Sequence, residues 1–219
     1  MNFEIVQKYI PLYIKAGKLT LTLGTLGILL AVLIGLLCSM IRYYKIPILD
    51  KIVAVYIEVS RNTPILIQLF FMYYGLPKIG LMVSSETCGI IGLAFLGGSY
   101  MSESFRSGLE AVDKSQVESG MSVGLTRIQL MRYVIFPQAL AISIPSIGAN
   151  VIFLLKETSL FSAVALADLM YIAKDLIGLY YDTNEALFLL VISYLVILLP
   201  LSIIVTIVER KLRYAGYGV

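Results

Sequence analysis

Charged residues fall in clusters along this chain, separated by long apolar runs. Residues 19–41, 133–155 and 186–208 contain no Asp, Glu, Lys or Arg. Each run exceeds the roughly 20 residues a helix needs to cross about 30 Å of hydrocarbon. Two shorter uncharged stretches, 62–77 and 87–102, follow the first run. The pattern predicts that the earlier of these starts near residue 52, drawing Glu58 and Arg61 into its helix. In the later one, Gly89, Gly92, Gly97, Gly98 and Ser99 would let another helix come close. The expected spans are therefore about 19–41, 52–77, 87–103, 133–157 and 186–208, within one transmembrane domain over residues 1–219. A sixth apolar stretch, 160–176, is interrupted by Asp168 and Lys174 and reads as an interfacial or re-entrant helix.

The longest polar segment, 103–132, is too long to be a bare linker. Val117, Met121, Gly124, Ile128 and Met131 recur in it at spacings of three and four, which predicts a pair of amphipathic helices. Such a hairpin suits two roles, lying on lipid headgroups or docking a cytoplasmic partner. With the C-terminus inside, the inner segments hold ten basic residues: Arg42, Lys45, Lys51, Arg106, Lys114, Arg127, Arg132, Arg210, Lys211 and Arg213. The outer segments hold five: Lys8, Lys15, Lys18, Lys78 and Lys174. The positive-inside tendency thus predicts the N-terminus outside and the C-terminus cytoplasmic.

Composition sharpens the class. The chain is 59% hydrophobic and 14% charged, against about 45–50% and about 25% in soluble domains. The first apolar run is longer than a signal peptide's, and no small-residue cleavage pattern closes it before Arg42, so it is expected to remain as an anchor. There is no histidine, which excludes histidine catalysis and imidazole metal sites. Cys38 and Cys88 fall at opposite faces of the expected bilayer and read as small buried apolar residues. These observations give an all-α membrane protein of about five transmembrane helices.

Between Gln116 and Ala139 the residues Glu118-Ser119-Gly120, Gly124 and Pro137 stand at set intervals. They resemble the EAA loop of ABC-importer permeases: Glu-Ala-Ala, three residues, Gly, nine residues, Ile, one residue, Leu-Pro. Ser119 and Gly120 replace the two alanines, Val134 the isoleucine and Phe136 the leucine. Arg61-Asn-Thr-Pro-Ile-Leu-Ile-Gln68 is similar to the Arg-Gly-Thr-Pro-Leu-Leu-Val-Gln stretch of polar-amino-acid permeases, with Asn62 in place of glycine. Lys156-Glu-Thr-Ser-Leu160 is similar to the Lys-Asp-Thr-Ser-Leu stretch that ends their fourth span. Three motifs in order make the resemblance specific. It implies the type I ABC-importer permease (MetI-like) fold, with a cytoplasmic coupling helix at about 106–132. In that family the helix docks into a cleft on an ATPase subunit. The candidate coupling residues are Glu118, Ser119, Gly120, Gly124, Arg127 and Pro137. Gly124 suits a left-handed turn after a short helix, and Glu118, if near the helix start, favours the dipole.

Ionisable groups at membrane depth are costly and mark pathways. Glu58 and Arg61 stand three apart on one helix face, and Pro64 should break the helix and free the Ser60 carbonyl. Transporters place substrates at such interruptions. For an amino acid, Arg61 would meet the carboxylate and Glu58 the ammonium, with Thr63 and Gln68 adding hydrogen bonds. Asn150, Lys156 and Glu157 offer the other half of the pocket. The competing readings are an internal Glu58–Arg61 pair at a helix end, and Lys156 and Glu157 snorkelling at the outer surface.

A phosphate-binding loop needs Gly, four residues, Gly-Lys and Ser or Thr, and the sole Gly-Lys pair, Gly17-Lys18, does not complete it. No cofactor is expected in this chain, and ATP and Mg would belong to a partner ATPase. The implied partners are two ATPase subunits, a second permease (identical or similar), and an extracytoplasmic amino-acid-binding protein meeting loops 78–86 and 158–185. The alternatives are an importer permease for another solute such as methionine, or an ion-gradient-driven transporter or channel.

Overall fold

The computed structural model describes residues 1–217, with side chains as far as Lys211; the Arg213 side chain in the charge count lies outside the described residues. Every regular element among them is helical. Helix α1 runs Phe3–Tyr43, and α2 (Leu49–Asn62) is followed by α3 (Ile65–Phe70). A π turn, Phe71–Gly75, and a 3-10 turn, Leu76–Ile79, extend α3. Next come α4 (Ser85–Glu110), α5 (Lys114–Ser122) and α6 (Arg127–Leu130). The latter passes through a π turn, Met131–Ile135, into α7 (Phe136–Glu157). A 3-10 helix, Thr158–Val164, leads to α8 (Leu169–Tyr180) and then α9 (Thr183–Tyr217).

Three helical stretches are long and apolar enough alone to cross a membrane: Phe3–Tyr43, Arg127–Val164 and Thr183–Lys211. Helix α4 and the broken path α2–α3 complete five long helical routes, as the charge-free runs anticipate. At 12 residues α8 spans about 18 Å, too short to cross about 30 Å of hydrocarbon.

Helix α1 reaches well beyond its uncharged run. Its first 16 residues keep Lys8, Lys15 and Lys18 exposed while Val6, Tyr9, Tyr13 and Ala16 are buried at helical spacing. They pack on Leu169, Ala173 and Leu176 of α8 and on Ala186 and Leu189 of α9. The Tyr9 hydroxyl donates to Asp182 (2.6 Å) and the Tyr13 hydroxyl to the Ala186 carbonyl (2.7 Å).

The main core forms where α1, α4 and α7 cross, around Ala31, Leu93, Met101 and Leu154. Small residues permit the crossing. A Cβ on Gly97 would lie 2.6 Å from Leu154 and 2.7 Å from Ala31, and one on Gly98 would meet Ile34 at 2.6 Å. A larger residue at either place would separate the helices. Polar groups tie α4 to α7 as well: Asn150 donates to the buried Ser104 Oγ at 2.8 Å, and Ser104 and Ser146 share a hydrogen bond of 2.6 Å.

Candidate functional site

The site begins at a break in the helix. Pro64 has no N–H, and Thr63 is extended (φ −113°, ψ 122°), so α2 ends with its last carbonyls unclaimed. The Gln68 side chain reaches back to claim two of them. Its amide donates to the carbonyl of Ser60 at 3.1 Å and of Thr63 at 2.9 Å. Helix α2 is also sewn to α4: the Tyr56 hydroxyl donates to the Phe95 carbonyl (2.7 Å), and the buried Ser60 hydroxyl lies 3.0 Å from the same atom. The break is thus a built feature, held from both sides.

Beside it opens a cavity of about 280 Å³ between α2, α3, α4 and α7, whose walls include Arg61, Thr63, Leu96, Tyr100, Phe153 and Glu157. The Arg61 guanidinium lies 5.2 Å from the centre of the Tyr100 ring, and Tyr100 stands 5.4 Å from Phe153. One cation and one carboxylate therefore share a pocket whose other walls are apolar, aromatic or, at Asn62 and Thr63, polar and uncharged. No ion pair within 4 Å joins them among the described residues. Thr158, next to Glu157, packs against Gly24, where an added Cβ would stand 3.2 Å from its methyl group. Gly24 is five residues inside the first uncharged run, about 8 Å along the helix. Glu157 is thus set level with the uncharged run of α1.

The other expected pocket residues lie elsewhere. Glu58 is exposed and accepts from Asn62 Nδ2 at 3.0 Å, so it neither pairs with Arg61 nor lines the cavity. The cause is local: Asn62, four residues on, reaches back along the helix and takes the Glu58 carboxylate and carbonyl together. Gln68 serves the break itself, and Asn150 is spent on the contact between α4 and α7. Lys156 is exposed and does not line the cavity.

A second candidate surface lies at the other end of α6 and α7. Asp113 caps α5, accepting from Ser115 N–H at 2.8 Å, and this bond holds its carboxyl below the usual range. Glu118 is therefore mid-helix rather than at the start, exposed beside Ser119. Gly120 is buried, and a Cβ there would come 2.5 Å from Leu130, so α5 rests directly on α6. Gly124 adopts φ +83°, the left-handed turn expected of it. Thr126 and Gln129 then form a capping box that starts α6, with Arg127 exposed in its first turn. Pro137 follows the π turn, in which the Phe136 N–H reaches the Met131 carbonyl five residues back; the wider turn makes room for the proline ring.

The five-residue apolar pattern read from the sequence is split by this turn. Val117 and Met131 are half-buried against Leu109, Leu130 and Ile135, whereas Met121 and Ile128 are exposed. With Val123 (77% exposed) and Ile128 (80%), the outer surface of the hairpin is apolar as well as polar.

The family description "binding-protein-dependent transport system inner membrane component" matches residues 27–214. The chain belongs to this family. This inner membrane component is 33% identical over 217 residues to a Vibrio harveyi protein named probable amino-acid ABC transporter permease protein PatM, covering 98% of this chain and 97% of the relative. It is also 33% identical over 214 residues to the glutamine transport system permease protein GlnP of Escherichia coli K12, covering 97% and 98%. Among solved structures, the crystal structure of an amino acid ABC transporter with histidines superposes with a TM-score of 0.89 at 34% identity, covering 96% of this chain and 99% of that one. The MetNI methionine ABC transporter in an inward-facing form shares the fold at 20% identity, with a TM-score of 0.78 and coverage of 94% and 98%.

Within this inner membrane component, sequence reasoning missed Tyr100 and Phe153 as cavity walls. A signal existed for Tyr100: it ends a run of buried small residues on α4, where a large ring has room only on the open side. Nothing local marks Phe153, whose partner is 53 positions away in sequence.

Proposed function

We propose that this inner membrane component is the permease subunit of an ATP-binding-cassette importer for polar amino acids, and that the ligand crosses at the broken-helix cavity. The observation that carries the reading is the unpaired Arg61 and Glu157 in one aromatic-walled cavity. A zwitterionic amino acid brings one carboxylate and one ammonium. Arg61 takes the carboxylate, for which its planar fork is suited, and Glu157, in place of Glu58, takes the ammonium. The Thr63 hydroxyl adds a hydrogen bond, and Tyr100 and Phe153 exclude water. The relatives named for amino acids and glutamine support the same substrate class.

The power comes from elsewhere. Two ATPase subunits, holding ATP and Mg, grip the α5–α6 hairpin at Glu118, Ser119 and Arg127. A second permease, identical or similar, completes the pathway. A binding protein delivers ligand to loops 78–86 and 158–185, with the N-terminus outside and the C-terminus cytoplasmic. The chain itself performs no chemistry; it offers the ligand different affinity in two states, which the ATPases select.

The test is uptake into proteoliposomes holding the chain, its ATPase and its binding protein, with labelled polar amino acids. ATP-dependent uptake that falls at least tenfold in Glu157→Gln, with ATPase still co-purifying, supports the reading. Ion-driven uptake by the chain alone, without ATP, overturns it.

A further inference from the structure

A second opening faces away from the polar cavity. It is a cleft of about 450 Å³ between α1, α2 and α4, with Leu30, Ile34 and Cys38 on one wall, Ile52 and Tyr56 on another, and Phe95 at its floor. Its one hydroxyl, on Tyr56, is already given to the Phe95 carbonyl, so the walls offer an occupant hydrocarbon contact only. Across Phe95 and Ile91 it adjoins a second apolar cleft of about 400 Å³, bounded by Ile67, Phe71 and Met72. Sharing Ile91 and Phe95, the two make one apolar furrow.

One mouth of the furrow is different in kind. Cys38 and Ile52 set this end of it towards the turn between α1 and α2, on the end of the bundle that carries α5, since Met40 and Tyr43 pack on Leu109 and Leu130. Three cations and a single carboxylate, Asp50, lie between residues 41 and 56. Arg42 takes that carboxylate at 3.4 Å. Lys45 and Lys51 are exposed with no acidic partner within 4 Å among the described residues. The turn is strained: Ile48 has φ +69° and ψ −55°, with Leu49 N–H on the Pro47 carbonyl at 2.8 Å, a γ-turn that β-branched residues avoid. It holds Tyr44, Ile48 and Leu49 exposed beside the two lysines.

We propose that this furrow is a binding site for an anionic phospholipid, with one acyl chain lying along Cys38 to Phe95 and the phosphate held by Lys45 and Lys51. Charge complementarity selects this occupant. A second copy of the chain seated here would bring the same unpaired lysines to the rim, whereas a phosphate neutralises them. Basic clusters beside membrane helices attract anionic lipid at about fivefold in affinity per lysine.

The chain contains no Trp, so Ile52→Trp at the rim places a single reporter. The full-length variant is reconstituted in nanodiscs with phosphatidylglycerol or phosphatidylcholine brominated on the acyl chains. Brominated phosphatidylglycerol is expected to quench at a severalfold lower mole fraction, a preference that Lys45→Gln/Lys51→Gln removes while quenching by phosphatidylcholine stays unchanged. Native mass spectrometry of the chain without the reporter should show phosphatidylglycerol retained, and lost in the double variant. Equal quenching by both lipids identifies ordinary boundary lipid and overturns the proposal. So does a preference that survives loss of both lysines. Emission insensitive to either lipid means that protein covers the furrow, which overturns it equally.

Discussion

Pro64 deletes one N–H from the helix that carries Arg61, and a single side chain contains the damage. Gln68 satisfies the Ser60 and Thr63 carbonyls at once, in a region where water is scarce. Gln68→Ala leaves both carbonyls without a donor, so the variant should lose about 1–3 kcal/mol of stability, read as a fall in unfolding midpoint in detergent. An unchanged midpoint would show that another donor reaches them. Arg61 asks for a different experiment, because its charge and its shape do separate work. Arg61→Lys keeps the charge but loses the fork and the flat cation lying over Tyr100. Its KM for ligand-dependent uptake should rise roughly tenfold, with maximal rate little altered. A falling maximal rate at unchanged KM would place Arg61 in gating rather than in ligand contact.

Elements differ in how openly they declare themselves. The charge-free runs announce α1, α7 and α9, because hydrocarbon tolerates no unpaired charge and the sequence must comply. The first third of α1 was hidden by Lys8, Lys15 and Lys18, although Val6, Tyr9, Tyr13 and Ala16 keep a helical period beneath them. Glu157 was legible as half of the pocket, but the contact that sets it there, Thr158 meeting Gly24 of a distant helix, was not. Helix α8 shows the same dependence. Its cap, Asp168, is fully buried, with Oδ1 accepting from Tyr171 N–H at 2.9 Å and Oδ2 lacking a hydrogen-bond partner. Burial pushes its carboxyl up to about 6, against the backbone bonds and Lys174, which pull it down. The Tyr194 hydroxyl of α9 is within electrostatic reach. A carboxyl raised in the folded state favours folding when protonated. That contribution is complete below about 4 and lost as pH climbs through about 6. A shift from 3.8 to about 6 corresponds to about 3 kcal/mol. Asp168→Asn keeps the capping oxygen and removes the titration, so its advantage over the parent should appear between pH 4 and 7 in thermal unfolding. A constant difference across that range would mean the carboxylate finds a partner.

At the scale of the molecule, the cavity and the hairpin are joined by one helix. From Arg127 to Glu157 the chain is continuously helical through the π turn, about 46 Å end to end. Arg61 rides instead on α2, which is fastened to α4 through Tyr56 and Ser60. A displacement of the α6–α7 rod relative to α4 therefore changes the spacing of Arg61 and Glu157, the two charges that the proposed function offers to the ligand. Gly120 lets α5 seat directly on Leu130 of the rod, the contact through which, on the proposed function, α5 passes on that displacement. Two variants separate grip from transmission. Replacing the exposed Val123 and Ile128 by Ser strips apolar surface from the hairpin while leaving its own packing intact. That variant should insert normally yet release the ATPase on purification. Gly120→Val leaves the outer surface in place but wedges α5 away from Leu130. It should retain the ATPase and hydrolyse ATP while uptake drops more than tenfold, because a stroke delivered to a loosened helix is not passed to Glu157. Hydrolysis and uptake falling in proportion in Gly120→Val would show that the rod moves by another contact.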